Sequence, residues 1–272
     1  MSAPTAPVPA ATIILLRDGP ASPEVLLVER SVKSEFLPKL YVFPGGRVDP
    51  EDAELIDRLE GADATSVGEQ LPSHPAELGL SFFVAAIRET YEESGIVLAR
   101  RAGQSELVGA DVAEALAPYR LAVQDHAHSF REIVESEDLV LAADQLAVHG
   151  HWITPEPVPR RFDTLFFTAQ PPRGQQAAHD GVESTDHVWL RPEEAVAQSK
   201  RGERSIIFPT RCNLETLCGF GSADEAIDAS RKRPVLPVLP RVVDRGGVKR
   251  VEIRDDAGYR TTFEEVRIPP AT

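Results

Sequence analysis

The chain has 272 residues, 42% of them hydrophobic, and a formal net charge of −14, which suits a globular protein with a substantial core. The acidic balance argues against binding nucleic acid through a broad basic surface. No apolar run reaches the ~18 residues of a membrane span, and Met1–Ala11 lacks the basic start of a signal peptide. Cys212 and Cys218 lack metal-binding spacing and favour reduced thiols, so a cytoplasmic location is expected.

In chain order, apolar and β-rich runs predict strands at Ala11–Arg17, Glu24–Glu29, Leu40–Phe43, Val148–Thr154, Phe162–Gln170, Thr185–Leu190, Val242–Asp244 and Val248–Ile253. Helical patterns fall at Asp49–Glu60, Leu80–Ser94, Gln104–Ala117, Arg120–Ser136, Glu137–Ala147, Pro192–Ser199, Pro209–Phe220 and Ala223–Arg231. The first two strands and the last two are each expected to form a hairpin. Val148–Thr154 and Phe162–Gln170 are expected to form an antiparallel pair across the Pro155–Pro159 loop. Together these elements predict an α/β fold.

The predicted helix Leu80–Ser94 carries an unusual concentration of charge. At ~100° per residue, Glu89, Glu92 and Glu93 fall within one arc of the helix surface. Crowded carboxylates repel one another unless cations compensate them, and hard cations such as Mg²⁺ favour such oxygen-rich sites. A solvated acidic helix face is the alternative. Arg88 directly before the first glutamate and the Gly45-Gly46 turn upstream favour a metal site.

These residues resemble the Nudix box, whose pattern is G-x5-E-x7-R-E-U-x-E-E-x-G-U, with U a bulky apolar residue. The matching positions are Gly46, Arg88, Glu89, Glu92, Glu93, Gly95 and Ile96. The resemblance implies a mixed β-sheet sandwiched between helices. It also implies Mg²⁺ or Mn²⁺ held by the Gly46 carbonyl, Glu89, Glu92 and Glu93. Arg88 is expected to orient a box glutamate, since Glu92 lies four residues on.

The box of this chain is split by an insertion. Between Gly46 and Arg88 lie 41 residues, about 28 more than the pattern has, and Leu80 stands where the first box Glu would be. That Glu is either lost or supplied by Glu51, Asp52 or Glu54. A box split in this way resembles the Nudix subgroup that includes peroxisomal coenzyme A diphosphatases.

The resulting domain organisation has three parts. Residues 1–10 are expected to be a disordered tail. A Nudix domain at 11–204 would contain the insertion at 47–80 and a helical block at 104–147. Residues 205–272 would form a helical and hairpin extension packed on that core, since no long Gly/Ser linker separates it.

Two arginine-containing motifs bear on the substrate. The segment Leu26–Ser31 and the following Phe43-Pro44-Gly45-Gly46 resemble the coenzyme A–associated pattern LLTxRSx3Rx3Gx3FPGG, from which Glu35 and Lys39 depart. Arg30 could bind a phosphate in bidentate fashion, or could merely end a core strand. Arg160 and Arg161 could contact a 3′-phosphate or a diphosphate, or be solvated charges.

A glutamate outside the box completes the site in many Nudix enzymes, as a further metal ligand or as the general base. By this resemblance Glu183 is the candidate, because it directly precedes a predicted strand and its interval to Trp189 is similar to that of nucleotide-cleaving relatives. Asp180 and Asp186 are the alternatives.

The resemblance implies a Mg²⁺- or Mn²⁺-dependent diphosphatase acting on a small phosphorylated molecule. Coenzyme A or an acyl-CoA is the first expectation, giving 3′,5′-ADP and a 4′-phosphopantetheine product, with ADP-ribose or NADH as the alternative. A non-catalytic Nudix-fold ligand sensor is the competing class: Leu80 and the large insertion favour it, whereas the intact set of Arg88, Glu89, Glu92 and Glu93 argues against it. A homodimer is compatible with the sequence. His126-Ala-His128 and His149-Gly-His151 lack a familiar ligand spacing, so the sequence does not favour a transition-metal site at either.

Overall fold

The computed structural model describes residues 5–32, 39–125, 127–156, 158 and 160–265. Its strands are β1 (Val8–Asp18), β2 (Pro23–Arg30), β3 (Tyr41–Val42), β4 (Gly45–Arg47), β5 (Leu59–Glu60), β6 (Ala99–Arg101), β7 (Leu139–Ala142), β8 (Ala147–Ile153), β9 (Phe162–Ala169), β10 (Ser184–Leu190), β11 (Pro237–Val238), β12 (Arg241–Arg245), β13 (Val248–Glu252) and β14 (Phe263–Glu265). Its α-helices are α1 (Ala64–Gln70), α2 (Ala76–Ser94), α3 (Ala110–Leu116), α4 (Arg120–Gln124), α5 (Phe130–Ser136), α6 (Pro192–Arg201), α7 (Phe208–Thr216) and α8 (Ala223–Lys232). Short 3-10 helices lie at Pro50–Arg58, Ala117–Tyr119, Ala143–Gln145 and Asp255–Ala257.

A mixed sheet forms the centre of the fold, in the order β10-β2-β1-β9-β8-β11, with β3 added to β2 and β4 added to β1. The pairings β1–β9 and β8–β11 are parallel, and the others are antiparallel. The predicted pairing of Val148–Thr154 with Phe162–Gln170 is confirmed by β8 and β9. The resulting mixed topology places the Gly45-Gly46 turn beside the centre of β1.

The central sheet is buried on both faces. Successive residues of β1 point to opposite sides: Ile13 and Leu15 join a core with α2, whereas Ile14 and Leu16 join a second core. Helices α6, α7 and α8 cover the second face through residues such as Leu214. The predicted α/β sandwich of a mixed sheet between helices is therefore confirmed.

Two smaller sheets complete the fold. Strand β5 of the insertion pairs with β7, which also pairs with β6. Near the C-terminus, β12 and β13 form the predicted hairpin, and β14 adds a third strand. In the part of the chain that the structure describes, the helices fall short of the length and apolar character needed to cross a membrane.

Several predicted boundaries are wrong. Strand β1 begins at Val8, so residues 8–10 belong to the sheet and not to a disordered tail, while residues 1–4 lie outside the described ranges. The segment Glu137–Ala147 is not helical: it contains β7 and a 3-10 turn before β8 begins. The apolar run of β7 is too short for its period to distinguish helix from strand, and pairing with β6 decides the outcome.

The rest of the predicted helical block is also shorter than expected. Only Ala110–Leu116 of Gln104–Ala117 is α-helical, and Arg120–Ser136 is divided into α4 and α5. Ser129 divides it, because its side chain caps α5 with a hydrogen bond from the Arg131 amide. The predicted helix Asp49–Glu60 is a 3-10 helix followed by β5. His126 and Glu35 lie outside the described residues.

Candidate active site

The three box glutamates lie on a helix that is buried on all sides from Gly79 to Ser94. Helix α2 begins at Ala76, four residues earlier than predicted, and ends at Gly95, which adopts the expected left-handed conformation at φ 73°. Glu89, Glu92 and Glu93 are only 9%, 6% and 4% exposed. A solvated acidic face is therefore the wrong interpretation. Carboxylates are rarely buried without a compensating partner, so this cluster requires a functional or structural explanation.

The Gly45-Gly46 turn lies directly against these carboxylates. The Gly45 amide donates to Glu93 Oε2 at 3.0 Å. A Cβ atom on Gly46 would lie 2.5 Å from Glu89 Oε1, closer than real contacts allow. A side chain at position 46 would therefore displace the Glu89 carboxylate from the turn. Gly46, the first residue of the predicted box, therefore lies at one site with the box glutamates. It is 43 positions from Glu89 in the sequence and further from Glu92 and Glu93.

Arg88 connects this site to the insertion. Its guanidinium has five N–H donors, and five hydrogen bonds are formed: to both carboxylate oxygens of Asp52, to Glu89 Oε1, to Glu92 Oε1 and to the Arg47 carbonyl, at 2.8–3.0 Å. The predicted orientation of Glu92 by Arg88 agrees with this geometry. Burial disfavours the guanidinium charge, yet the Asp52 hydrogen bonds and the surrounding carboxylates hold the pKa of Arg88 above its ordinary value.

Asp52 forms the main ion pair of Arg88. Of the three acids that could replace the first box Glu, Glu51 and Glu54 are exposed, whereas Asp52 is 1% exposed and bidentate on Arg88. Leu80, at the position that the box pattern gives to Glu, belongs to the hydrophobic core. The insertion thus supplies the carboxylate that holds the arginine.

Replacing Asp52 by Ala is expected to lower the free energy of unfolding by about 3–5 kcal/mol, because Arg88 would remain buried without its bidentate partner. Glu54→Ala on the same 3-10 helix is the matched control, with an expected change within about 0.5 kcal/mol since its side chain is exposed. Urea unfolding of the three proteins measures both values. A loss below about 1 kcal/mol for Asp52→Ala would contradict the role given to this pair.

The remaining electrostatics of the site fit a divalent cation. Burial, together with repulsion from Glu92, raises the pKa of Glu89 to about 8. Burial and repulsion from Glu89 also raise the pKa of Glu93 well above its ordinary value, although Gly45 and Arg30 oppose the rise. Asp52, Glu89, Glu92 and Glu93 outnumber Arg88 and Arg30, the two arginines that act on them. An oxygen-rich set with excess negative charge is the kind of site that Mg²⁺ and Mn²⁺ occupy.

Arg30 and Glu183 lie at the same site. Arg30 ends β2 opposite Ser184 of β10, and the Ser31 amide donates to the Glu183 carbonyl at 2.7 Å. Both Arg30 and Glu183 act electrostatically on Glu93. The strand pairing therefore brings one predicted phosphate-binding residue and the predicted outer glutamate to the box carboxylates.

The two alternatives to Glu183 have other partners. Asp180 Oδ1 accepts hydrogen bonds from the Val182, Glu183 and Ser184 amides, so Asp180 organises the loop. Asp186 Oδ2 accepts a hydrogen bond from the Tyr41 hydroxyl at 3.1 Å. Glu183 is exposed at the end of the loop, which leaves it as the carboxylate that fits the predicted role.

Arg160 and Arg161 are not brought to the carboxylates. They precede β9, whose residue Leu165 is level with Ala11 and Gly46, so about 13 Å of strand separates Arg161 from the turn. Arg161 is buried, and its guanidinium donates to the carbonyls of Thr154 and Thr5. These backbone contacts do not favour contact of Arg161 with a substrate, and its substrate-binding role stays a prediction. Arg160 is exposed, and it too lies away from the box carboxylates.

One residue of this region was missed by the sequence reasoning. Arg120 donates to the carbonyls of Tyr91 and Glu92 at the end of α2, and to the Ala178 carbonyl in the loop before Glu183. It therefore joins the box helix to the loop of the outer glutamate. A cation at a helix C-terminus is favourable, but Arg120 lies 26 residues after α2, and no local pattern predicts the contact.

The fold is a mixed sheet between helices, and its candidate site consists of buried glutamates on a helix that packs against a Gly-Gly turn. Together they define a class of protein that is also found among solved structures. A solved structure of a Nudix hydrolase from Alicyclobacillus acidocaldarius has the same fold, with a TM-score of 0.64 and 26% identity, covering 82% of this chain and 96% of that chain.

The family model described as the NUDT19 Nudix domain matches residues 57–215, more than half of the chain. The chain belongs to this family. Among curated relatives, the acyl-coenzyme A diphosphatase NUDT19 of Gallus gallus is 29% identical over 245 residues, covering 76% of this chain and 64% of the relative. The protein of the same name from Xenopus laevis is 28% identical, covering 74% and 61%. The chain thus spans less than two thirds of the length of these relatives.

Proposed function

We propose that this protein is a divalent-metal-dependent diphosphatase that hydrolyses coenzyme A or acyl-CoA to 3′,5′-ADP and (acyl-)4′-phosphopantetheine. The observation that carries the proposal is the set of three buried glutamates on α2, packed against the Gly45-Gly46 turn. Membership in the NUDT19 Nudix domain family supports the reaction class. The names of the chicken and frog relatives support the substrate.

Glu89, Glu92, Glu93 and the Gly46 carbonyl would hold the metal, which is Mg²⁺ or Mn²⁺ in this proposal. When bound, such an ion neutralises the diphosphate and lowers the pKa of a coordinated water. Arg88 orients Glu89 and Glu92 through its two hydrogen bonds. The Gly45 amide orients Glu93.

Arg30 and Glu183 would act on the substrate itself. The Arg30 guanidinium can bind a diphosphate oxygen pair and reduce the charge that repels the attacking water. Glu183, on its exposed loop, can accept the proton of that water as it attacks phosphorus. The other phosphate then departs as the leaving group. Arg120 acts as a positioning residue, because it joins the Glu183 loop to α2.

Replacing Arg30 by Lys is expected to lower kcat/KM for coenzyme A about tenfold or more, since Lys keeps the charge but not the planar fork. Arg160→Lys is the matched control, with an expected change below twofold, because that exposed arginine lies before β9 and away from the carboxylates. Steady-state kinetics on the purified enzymes give both numbers. Equal values for the two variants would remove Arg30 from the phosphate site.

The ligand-sensor alternative has lost its main support. Leu80 favoured it because the first box Glu is missing. Asp52, which belongs to the insertion, pairs with Arg88 instead. The box arginine therefore has a carboxylate partner although the first box Glu is missing.

The substrate is tested with coenzyme A, an acyl-CoA, ADP-ribose, NADH and dinucleoside polyphosphates, each with Mg²⁺ or Mn²⁺ and with products identified by mass. We expect the coenzyme A compounds to be cleaved with the highest kcat/KM. Preference for ADP-ribose or NADH would support the alternative substrate class. No turnover of any compound would support the sensor.

We also propose a cytoplasmic location and a possible homodimer. Cys212 and Cys218 are both free thiols, which supports a reducing location such as the cytoplasm. A homodimer stays a prediction, and analytical ultracentrifugation of the purified protein would test it.

A further inference from the structure

A second cluster of metal-ligating side chains lies at the opposite end of α2 from the glutamates. His74, His151 and Asp163 each direct one ligand atom into a space in which these atoms lie within 4.8 Å of one another. Helix α2 begins two residues after His74, and Glu89 is 13 residues further along it, about 20 Å away at 1.5 Å per residue. The cluster is therefore separate from the proposed catalytic metal site.

Three different elements build the cluster. His74 comes from the loop between α1 and α2, within the box insertion. His151 and Asp163 come from β8 and β9, where Asp163 pairs with Ile153 and His151 with Leu165. Since residues two apart on a strand share a face, His151 and Asp163 point to the same side of the sheet. The insertion contributes the third ligand to that face.

The distances suit a small transition-metal ion. His74 Nε2 lies 3.0 Å from one Asp163 oxygen, and His151 Nε2 lies 2.5 Å from the other. Zinc bound tetrahedrally at about 2.0–2.1 Å places its ligand atoms about 3.3 Å apart. Both observed separations are shorter than that value, so the His and Asp side chains would have to rotate apart to admit an ion.

The surroundings of the His74, His151 and Asp163 cluster also fit a metal site. Ser73 Oγ lies 3.1 Å from His74 Nδ1, and a hydrogen bond at the far nitrogen is what fixes the tautomer of a metal-bound imidazole. The ring of His74 packs edge-on against Phe82. The side chains of His74 and His151 are 7% and 4% exposed, whereas that of Asp163 is 18% exposed. The cluster is therefore largely buried, with Asp163 as its most exposed member.

We propose that His74, His151 and Asp163 bind a zinc-class transition-metal ion that fastens the box insertion to the central sheet. Two imidazoles and a carboxylate favour Zn²⁺ or Co²⁺ over Mg²⁺. A water molecule completes the coordination. The ion would hold the loop that enters α2, and with it the start of the helix that carries the glutamates. This inference does not depend on the proposed substrate or on catalysis.

The competing explanation needs no ion. In a His–Asp–His hydrogen-bonded chain, each imidazole donates Nε2–H to one oxygen of Asp163, and both contacts are already satisfied. The two explanations differ in one respect: only the first predicts specific binding of metal and stabilisation by it.

The test measures the binding of Co²⁺ and of Zn²⁺ to the whole chain in excess Mg²⁺. Binding of Co²⁺ is monitored by its visible absorption, and the amount of bound metal is determined after dialysis. We expect one equivalent in the wild-type protein and at least a tenfold weaker affinity in His74→Gln. Zn²⁺ at about 100 times Kd should raise the Tm of the wild-type protein by roughly 5 °C.

Two controls locate the bound ion. His187→Asn removes one ring of an exposed histidine pair, His179 and His187, and Glu93→Gln alters the carboxylate site. Both should retain the equivalent that His74→Gln loses. Equal binding by the wild-type protein and His74→Gln, or no binding by either, overturns the proposal and leaves the hydrogen-bonded chain. If His74→Gln does not fold, the imidazole NMR signals of the wild-type protein decide, since Zn²⁺ must shift those of His74 and His151.

Discussion

Replacing Glu93 by Gln is expected to reduce turnover of coenzyme A by about a hundredfold to a thousandfold. The substitution keeps the shape of the side chain and its hydrogen bond from the Gly45 amide, but removes one negative charge from the proposed metal ligands. Steady-state kinetics over a range of Mg²⁺ concentrations measure the loss. Activity should recover only partly at high Mg²⁺, because weaker metal affinity is one component of the defect.

The stability of the Glu93→Gln protein should be equal to or slightly greater than that of the wild type in the absence of metal. The Glu93 carboxyl is buried beside Glu89, and the neutral amide relieves their repulsion. Glu77→Gln is the matched control, because Glu77 lies on the same helix but is exposed in its first turn. Near-native turnover of a folded Glu93→Gln protein would contradict the proposed metal site.

Replacing Glu183 by Gln is expected to lower kcat by about a hundredfold or more, with a much smaller change in KM. A proton acceptor acts mainly in the transition state, whereas substrate binding depends on Arg30 and the metal ligands. Glu183 lies on an exposed loop. Hydrogen bonds from its amide to Asp180 and from Arg120 to the Ala178 carbonyl stabilise this loop and do not involve the Glu183 side chain, so its replacement should leave the fold intact. Measured kcat and KM, with circular dichroism as the fold check, test this.

The controls for Glu183 follow from the structure. Asp186→Asn should change kcat little, since Asp186 contacts the Tyr41 hydroxyl. Asp180→Asn should have an intermediate effect, because it weakens the turn that presents Glu183 to the site. An unchanged kcat for Glu183→Gln would assign the proton transfer to another group.

The sequence predicts the centre of the site well because its signals are local. The spacing of Glu89, Glu92 and Glu93 defines one face of a helix, and Gly95 ends that helix at a positive φ. The prediction that associates Arg30 with the Gly-Gly turn agrees with its electrostatic effect on Glu93, since the interval between its strand and the turn is short, while its phosphate-binding role stays a prediction. Both predictions depend on chain geometry over few residues.

The partner of Arg88 could not be predicted in the same way. Glu51, Asp52 and Glu54 lie within four residues, and their order does not tell which side chain faces α2. The answer depends on the 3-10 helix, whose period of three places Asp52 and Leu55 on the same buried side.

Contacts between distant segments were the hardest to predict. Arg120 reaches the end of α2 and the loop before Glu183, and neither contact leaves a local pattern. His151 was recognised as part of a His-x-His pair, but its neighbours His74 and Asp163 come from other elements. His149, the other member of the pair, is instead buried against Ser230 and Thr216.

The most direct test of the central claim is coenzyme A hydrolysis in water labelled with heavy oxygen, with both products analysed by mass. The account predicts 3′,5′-ADP and 4′-phosphopantetheine, with one labelled oxygen on the new phosphate of one product, and no reaction without divalent metal. Loss of the 3′-phosphate alone, or unlabelled diphosphate-cleavage products, would contradict it.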